Sequence, residues 1–190
     1  MGDEIYLWST ALRQAMKRNR RDAHNRYLQL ATVRSDGSPA VRNLVCRGFC
    51  SATLQLLMCT DARSSKVSDV ETNPQAEICW YLTHTREQFR LRGRIGVVGP
   101  EGPDQQQRLS MWESLSDTAK QQFFWPHPGE PLARELPALP AAEDVPPESF
   151  LLLALTPLEV DHLMLRGEPQ RRFISTLNEQ GTWSSTAVNP

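Results

Sequence analysis

The chain has 190 residues, enough to bury one substantial core without requiring a second independent domain. Charged residues make up 23% and apolar ones 39%, an ordinary balance for a globular protein in water. With 21 basic residues against 22 acidic ones, the net charge of −1 speaks against a whole-chain nucleic-acid binder, which needs a basic excess.

The opening run MGDEIYLWST lacks the charged start and apolar centre of a signal peptide. Its sixth residue, Tyr6, does not suit the myristoylation pattern, and no apolar run is long enough for a membrane helix. A cytoplasmic protein with no membrane partner is expected. Residues 5–21 predict an amphipathic helix with Leu7, Leu12, Ala15 and Met16 on one face, closed by the basic cluster KRNRR. Next, RYLQLATVR and AVRNLVCRGF flank the turn SDGSP and predict a hairpin. A third strand, TLQLLMC, runs into TDARSSK, where Ser64 or Ser65 is placed to cap a short helix, KVSDVETN, that Pro74 ends. Two more strands follow, AEICWYLT and EQFRLRGRIGVV, the second with polar and apolar residues alternating. Five strands with short links favour an antiparallel meander or barrel over repeated βαβ units.

Beyond Gly99 the composition changes. DQQQRLSMWESL and DTAKQQFF are helix-like, and the proline-rich stretch from Trp125 to Pro147 predicts an extended surface segment. FLLLALTPLEVDHLMLRG adds one or two strands, and the tail predicts a hairpin turned around Asn178 to Gly181. The expected organisation is mainly β (α+β) in one domain over residues 1–190. Its parts are a helix at 5–21, a barrel core at about 26–99, helices and the proline-rich segment at 104–147, and C-terminal strands at 150–190. Cys46, Cys50, Cys59 and Cys79 form no Cys-x-x-Cys pair, and no histidine stands at zinc-ligand spacing beside them. They read as small buried hydrophobes in a reducing compartment, and the scattered His24, His84, His127 and His162 give no metal centre.

RSSK is the first stretch with chemistry. Arg63 and Lys66 bring charge, Ser64 and Ser65 bring hydroxyls, and a helix start brings unpaired N–H groups, a set that suits a phosphate monoester. Taken alone, the pattern reads first as a solvated helix cap with two incidental cations. Neither a Walker loop nor a dinucleotide glycine fingerprint is present. Cations also stand within strands: Arg42 and Arg47 flank NLVC, while Arg90, Arg92 and Arg94 share a face with Gln88. These are either the wet side of a sheet or planar donors around an electron-poor ring beside a phosphate clamp, as a flavin mononucleotide (FMN) requires.

The runs ATVRSDGSPAVRNLVCRGF, LLMCTDARSSKVSDVETNPQAEICWYLTHTREQFRLRG and the closing VNP resemble pyridoxamine 5′-phosphate oxidase-like FMN-binding proteins. Within that family, CWY…TREQFRL.G is similar to the Alr4036-type branch. The resemblance implies an antiparallel FMN-binding split β-barrel with peripheral helices that forms a homodimer, with FMN bound in clefts at the subunit interface. By position, it implies that Arg42, Asn43, Leu44, Val45, Cys46 and Arg47 line the flavin and its ribityl-phosphate. Cys59 and Thr60 would contact the cofactor, Ser65 and Lys66 would bind its phosphate, and Gln88 would reach the ring from the partner side. Arg172 falls on the family's late flavin-contacting arginine, and Gly129 and Glu130 lie near a further contact.

The substrate positions depart from the family. Arg47 replaces a lysine of the oxidase's vitamin pocket, and Glu168 and Gln170 stand where an arginine and a histidine would be. Leu163 takes the place of the flavin-packing tryptophan, and Trp112 falls near the tyrosine of the substrate phosphate site. Glutamate in place of arginine repels a phosphorylated substrate, which argues against oxidation of pyridoxamine phosphate. No catalytic residue can be named, and His162 beside Asp161 reads as a strand edge rather than a proton relay. The leading expectation is an FMN-dependent oxidoreductase of unknown small-molecule substrate. Authentic pyridoxamine 5′-phosphate oxidase and a non-catalytic FMN-binding or carrier module are the alternatives, and a nucleic-acid contact through KRNRR carries little weight.

Overall fold

The computed structural model describes residues 7–101, 104–132 and 145–190. Helix α1 (Trp8–Asn19) leads through a 3₁₀ turn to strands β1 (Tyr27–Val33), β2 (Pro39–Cys50) and β3 (Gln55–Asp61). Helix α2 (Ser65–Thr72) precedes β4 (Gln75–Leu82) and β5 (Glu87–Val98); α3 (Gln105–Glu113) and α4 (Asp117–Gln121) precede β6 (Phe150–Met164), β7 (Arg171–Leu177) and β8 (Trp183–Val188). Residues 133–144 of the proline-rich stretch, and the first two positions of the predicted 5–21 helix, lie outside the described residues.

All strand pairs are antiparallel, in the order β3-β2-β1-β4-β5-β6-β7-β8, and β3 also pairs with β6. That last pairing closes six strands into a barrel, leaving β7 and β8 as an extension of one wall. A plain meander would seat β4 beside β3; instead α2 carries the chain across so that β4 lies beside β1. The closing strand, β6, is a single run of 15 residues despite Pro157. A proline is tolerated there because the β5–β6 register shifts between Arg92 and Gly93, so no ladder N–H is needed. Gly93 is required at this crossing, since a Cβ would sit 2.1 Å from the Thr156 carbonyl oxygen.

The barrel interior is filled by inward residues of every wall, among them Leu28, Leu30, Met58, Ile78, Phe89, Leu91 and Leu155. Helix α1 packs against this core with Trp8, Leu12 and Ala15, and Trp8 meets Trp183 edge-on at 5.1 Å. The predicted apolar face is therefore shifted. Leu7 is the extended N-cap and is 55% exposed, and Trp8 takes the buried stripe that continues through Leu12, Ala15 and Asn19. A second cluster of Trp112, Leu115, Phe150 and Leu152 lies under α3 and α4. Of the cysteines only Cys46 is buried; Cys50, Cys59 and Cys79 are half-buried, which corrects the expectation of four core hydrophobes. No helix among the described residues is long and apolar enough to cross a membrane.

Candidate cofactor site

The end of β3 and the start of α2 place a cation among hydroxyls. Ser64 occupies the N-cap position in extended conformation, yet neither it nor Ser65 makes a side-chain capping bond. Lys66 takes the hydroxyls instead: its Nζ donates to Thr60 Oγ1 at 3.1 Å and to Ser64 Oγ. Burial first, then the charge of Arg42, hold the Lys66 pKa below the ordinary lysine value, although Asp61 and Asp69 oppose the shift. No carboxylate pairs with Lys66 among the described residues. A partly desolvated cation that contacts only hydroxyls is short of a counter-ion, and the helix start beside it adds N–H groups without intrahelical acceptors. The donor set fits the phosphate of FMN. Ser65 is exposed at the first position of α2, beside this cluster.

Arg63 serves a different purpose. Its Nε and Nη2 clasp the Asp61 carboxylate at 2.9 and 2.7 Å, and Nη2 also donates to the Trp125 carbonyl at 3.0 Å. This neutralises an acid next to the Lys66 cluster and ties Trp125 to the end of β3. The resulting cleft, about 310 Å³, is walled by Leu44, Cys59, Thr60, Lys66, Phe123 and Trp125. Gly129 turns the segment with φ +85°, and Glu130 is near enough to Arg63 to raise the guanidinium's pKa, behind the larger effect of Asp61.

Along β2 the predicted flavin-lining residues split between faces. Arg42 donates to Thr32 Oγ1 at 2.6 Å and to Asp69 Oδ2 at 3.3 Å, beside Lys66, while Leu44 reaches the cleft and Cys46 is buried. Asn43 bonds Gln29 across the strand pair at 3.0 Å, and its phase is shared by Val45. The β2–β3 register shifts between Cys46 and Gly48, which re-aims Arg47. Its charge opposes the effect of burial on the Cys59 thiol, which is nevertheless pushed up to about 12.

Gln88 and Arg172 lie elsewhere. Both pair in register with Leu163 near the C-terminal end of β6, whereas Thr60 pairs with Leu151 near its start. Twelve strand positions separate those contacts, roughly 40 Å along an extended strand. One copy of the chain thus does not bring the two groups together. Arg172 is held by Asp161 through two bonds of 3.0 and 2.8 Å, and Arg90 joins the same carboxylate at 3.6 Å.

Several other positions are clarified. Trp112 is fully buried between Phe123, Phe124 and Phe150, so it cannot face a substrate phosphate as its spacing had implied. Asp161 and His162 point to opposite faces of β6. His162 is buried, stacks on Phe89 at 3.9 Å and bonds Glu87 at 2.8 Å. Glu168 and Gln170 are exposed in the β6–β7 turn. Sequence reasoning missed Asp69 and Trp125, whose roles arise from contacts far along the chain. Only the placement of Asp69 on the helix after RSSK hinted at the first.

The family described as pyridoxamine 5′-phosphate oxidase, FMN-binding domain, matches residues 6–99. A pyridoxine/pyridoxamine 5′-phosphate oxidase 2 of Arabidopsis thaliana is 35% identical over 201 residues, covering 100% of both chains. The crystal structure of a pyridoxamine 5′-phosphate oxidase-related, FMN-binding protein of Nostoc punctiforme is similar with a TM-score of 0.88 and 46% identity. It covers 98% of this chain and 100% of its own. PhzG of Burkholderia lata, solved with tetrahydrophenazine-1-carboxylic acid, shares the fold at a TM-score of 0.79 and 18% identity, over 99% of this chain and 95% of its own.

Proposed function

The chain belongs to the pyridoxamine 5′-phosphate oxidase family of FMN-binding domains, and from that premise we propose that it is an FMN-dependent oxidoreductase acting on a small molecule. It works as a homodimer whose two cofactor clefts each draw residues from both copies. The observation that carries this reading is the counter-ion-poor Lys66 cluster at one end of β6, with Gln88 and Arg172 at the other. Two-fold pairing lets the Gln88 end of one copy complete the Lys66 end of its partner.

Bound FMN supplies hydride acceptance and donation at its ring. The protein's part is binding and orientation. Lys66, Ser65 and the start of α2 hold the phosphate, with Thr60 beside the ribityl chain. Arg42 and Arg47 bring positive charge toward the ring, which favours its reduced, anionic form. Leu44, Phe123 and Trp125 keep water from the cleft and so strengthen those interactions. No side chain is assigned a proton-transfer role.

The full-length similarity to a pyridoxine/pyridoxamine 5′-phosphate oxidase favours that activity as a second reading. Against it stand Glu168 and Gln170 in the β6–β7 turn, which offer no cation to a phosphorylated substrate. Purified protein should bind FMN and turn yellow, and NADH or NADPH under anaerobic conditions should bleach it. Turnover of pyridoxine 5′-phosphate faster than of unphosphorylated amines would establish the second reading. Bound flavin that no donor bleaches would instead identify a carrier.

A further inference from the structure

The C-terminal end of α1 forms a second cleft, about 610 Å³, whose lining includes none of the residues assigned to FMN. Lys17, Arg18, Arg20 and Arg21 line it with His84, and Asp22 is the one acid in its lining among the described residues. None of these four cations has an ion-pair partner among the described residues, whereas Arg42, Arg63, Arg90, Arg92 and Arg172 each hold a carboxylate. Four cations within five positions repel one another, and of their charge only that of Arg18 is partly offset by a carboxylate, Glu87, among the described residues.

The α1 dipole favours Lys17 and Arg18 in its last turn, and Arg20 and Arg21 extend the cluster past the helix. The end of α1 is closed by asparagines: Asn19 Nδ2 donates to the Ala15 carbonyl at 2.8 Å, and Asn25 Nδ2 donates to the Asn19 carbonyl at 3.3 Å. Asn19 also accepts from His84 N–H at 2.9 Å and donates to Thr85 Oγ1 at 2.9 Å, which fastens the helix end to the β4–β5 turn. Both asparagines are buried and fully engaged. The helix end beside the cleft is thus fixed, and Arg166, in the β6–β7 turn, also donates to the carbonyl of His84, one of the lining residues. A concavity beside a fixed helix end, lined by four cations, matches closely spaced anionic groups better than a single one.

We propose that this cleft is a binding site for a small ligand carrying a diphosphate or triphosphate group. It is separate from the FMN site and independent of the reaction proposed above. A nucleic acid is disfavoured because its backbone needs an extended basic track, whereas these cations close around one concavity.

The test is calorimetric titration of the FMN-loaded protein with inorganic pyrophosphate, compared with orthophosphate. Pyrophosphate should bind at least about tenfold more tightly, and Arg18→Ala with Arg21→Ala should weaken it by about tenfold or more. The flavin spectrum should not change. As a control for overall charge, Arg92→Ala with Arg94→Ala should leave pyrophosphate binding intact. Equal binding of the two anions, an unaffected Arg18/Arg21 variant, or equal losses in both variants would overturn the proposal. So would a short single-stranded RNA that displaces pyrophosphate at lower concentration, since the site would then serve a polymer.

Discussion

Replacing Ser65 and Lys66 together by alanine removes the two side chains assigned to the FMN phosphate. Lys66 Nζ sits 3.1 Å from Thr60 Oγ1 in a half-buried setting with no carboxylate partner. A charge-assisted bond there is worth about 1.5–3 kcal/mol, and the exposed Ser65 hydroxyl adds about 0.5–1.5 kcal/mol. The sum, about 2–4.5 kcal/mol, corresponds to roughly 30- to 2000-fold in Kd. Fluorescence quenching of FMN titrated with wild-type and variant protein reads this directly. Stability without cofactor should hardly change, because truncating Lys66 removes a cation that gains little from its site. An FMN Kd within about threefold of wild type would refute the phosphate assignment.

Other predictions follow from neighbouring geometry. Arg63→Ala should weaken FMN about tenfold, measured by the same titration, because it frees the Asp61 carboxylate beside the phosphate and unties Trp125. Lysine should not rescue it, lacking the planar fork. FMN affinity should fall as pH rises through the depressed Lys66 pKa, while stability without FMN rises over that same window, where the unfolded chain binds the extra proton. At Glu87, burial pushes the pKa up, but hydrogen bonds from His162 and Thr85 and the charges of His162 and Arg18 outweigh it and leave the value lowered. That contribution to stability is present above the unfolded carboxylate value and is lost as pH falls through the folded one, so urea-unfolding curves of wild type and Glu87→Gln should converge in acid. Gly93→Ala should cost more than about 3 kcal/mol or prevent folding, because the added Cβ would meet backbone rather than a movable side chain.

What the sequence made legible was local. Alternation in QFRLRGRIGV placed Arg90, Arg92 and Arg94 on one face with Gln88, and the ion pairs to Glu77 and Glu159 lie on that face. The grouping of Ser64, Ser65 and Lys66 was readable because these atoms come from adjacent residues. Ser64 engaging Lys66 rather than capping α2 was not readable, since desolvation of the lysine decides it. The strand order was hidden as well: barrel closure through β3 and β6 depends on pairing residues about 90 positions apart, beyond any local pattern. Asn19 broke the apolar-face rule for α1 because its amide is worth more bonding Ala15, Thr85 and His84 than a hydrophobe would be at that seam.

The central claim is that each cofactor cleft is shared between two copies of the chain. Subunit complementation tests it most directly. Lys66→Ala protein and protein carrying Gln88→Ala with Arg172→Ala, each deficient in FMN binding, are mixed, allowed to exchange and titrated with FMN. Random exchange makes half of the dimers mixed, and each mixed dimer keeps one intact cleft, so roughly a quarter of all sites should regain wild-type affinity. If mixing restores none, the two groups do not meet across a dimer interface and the composite site is wrong.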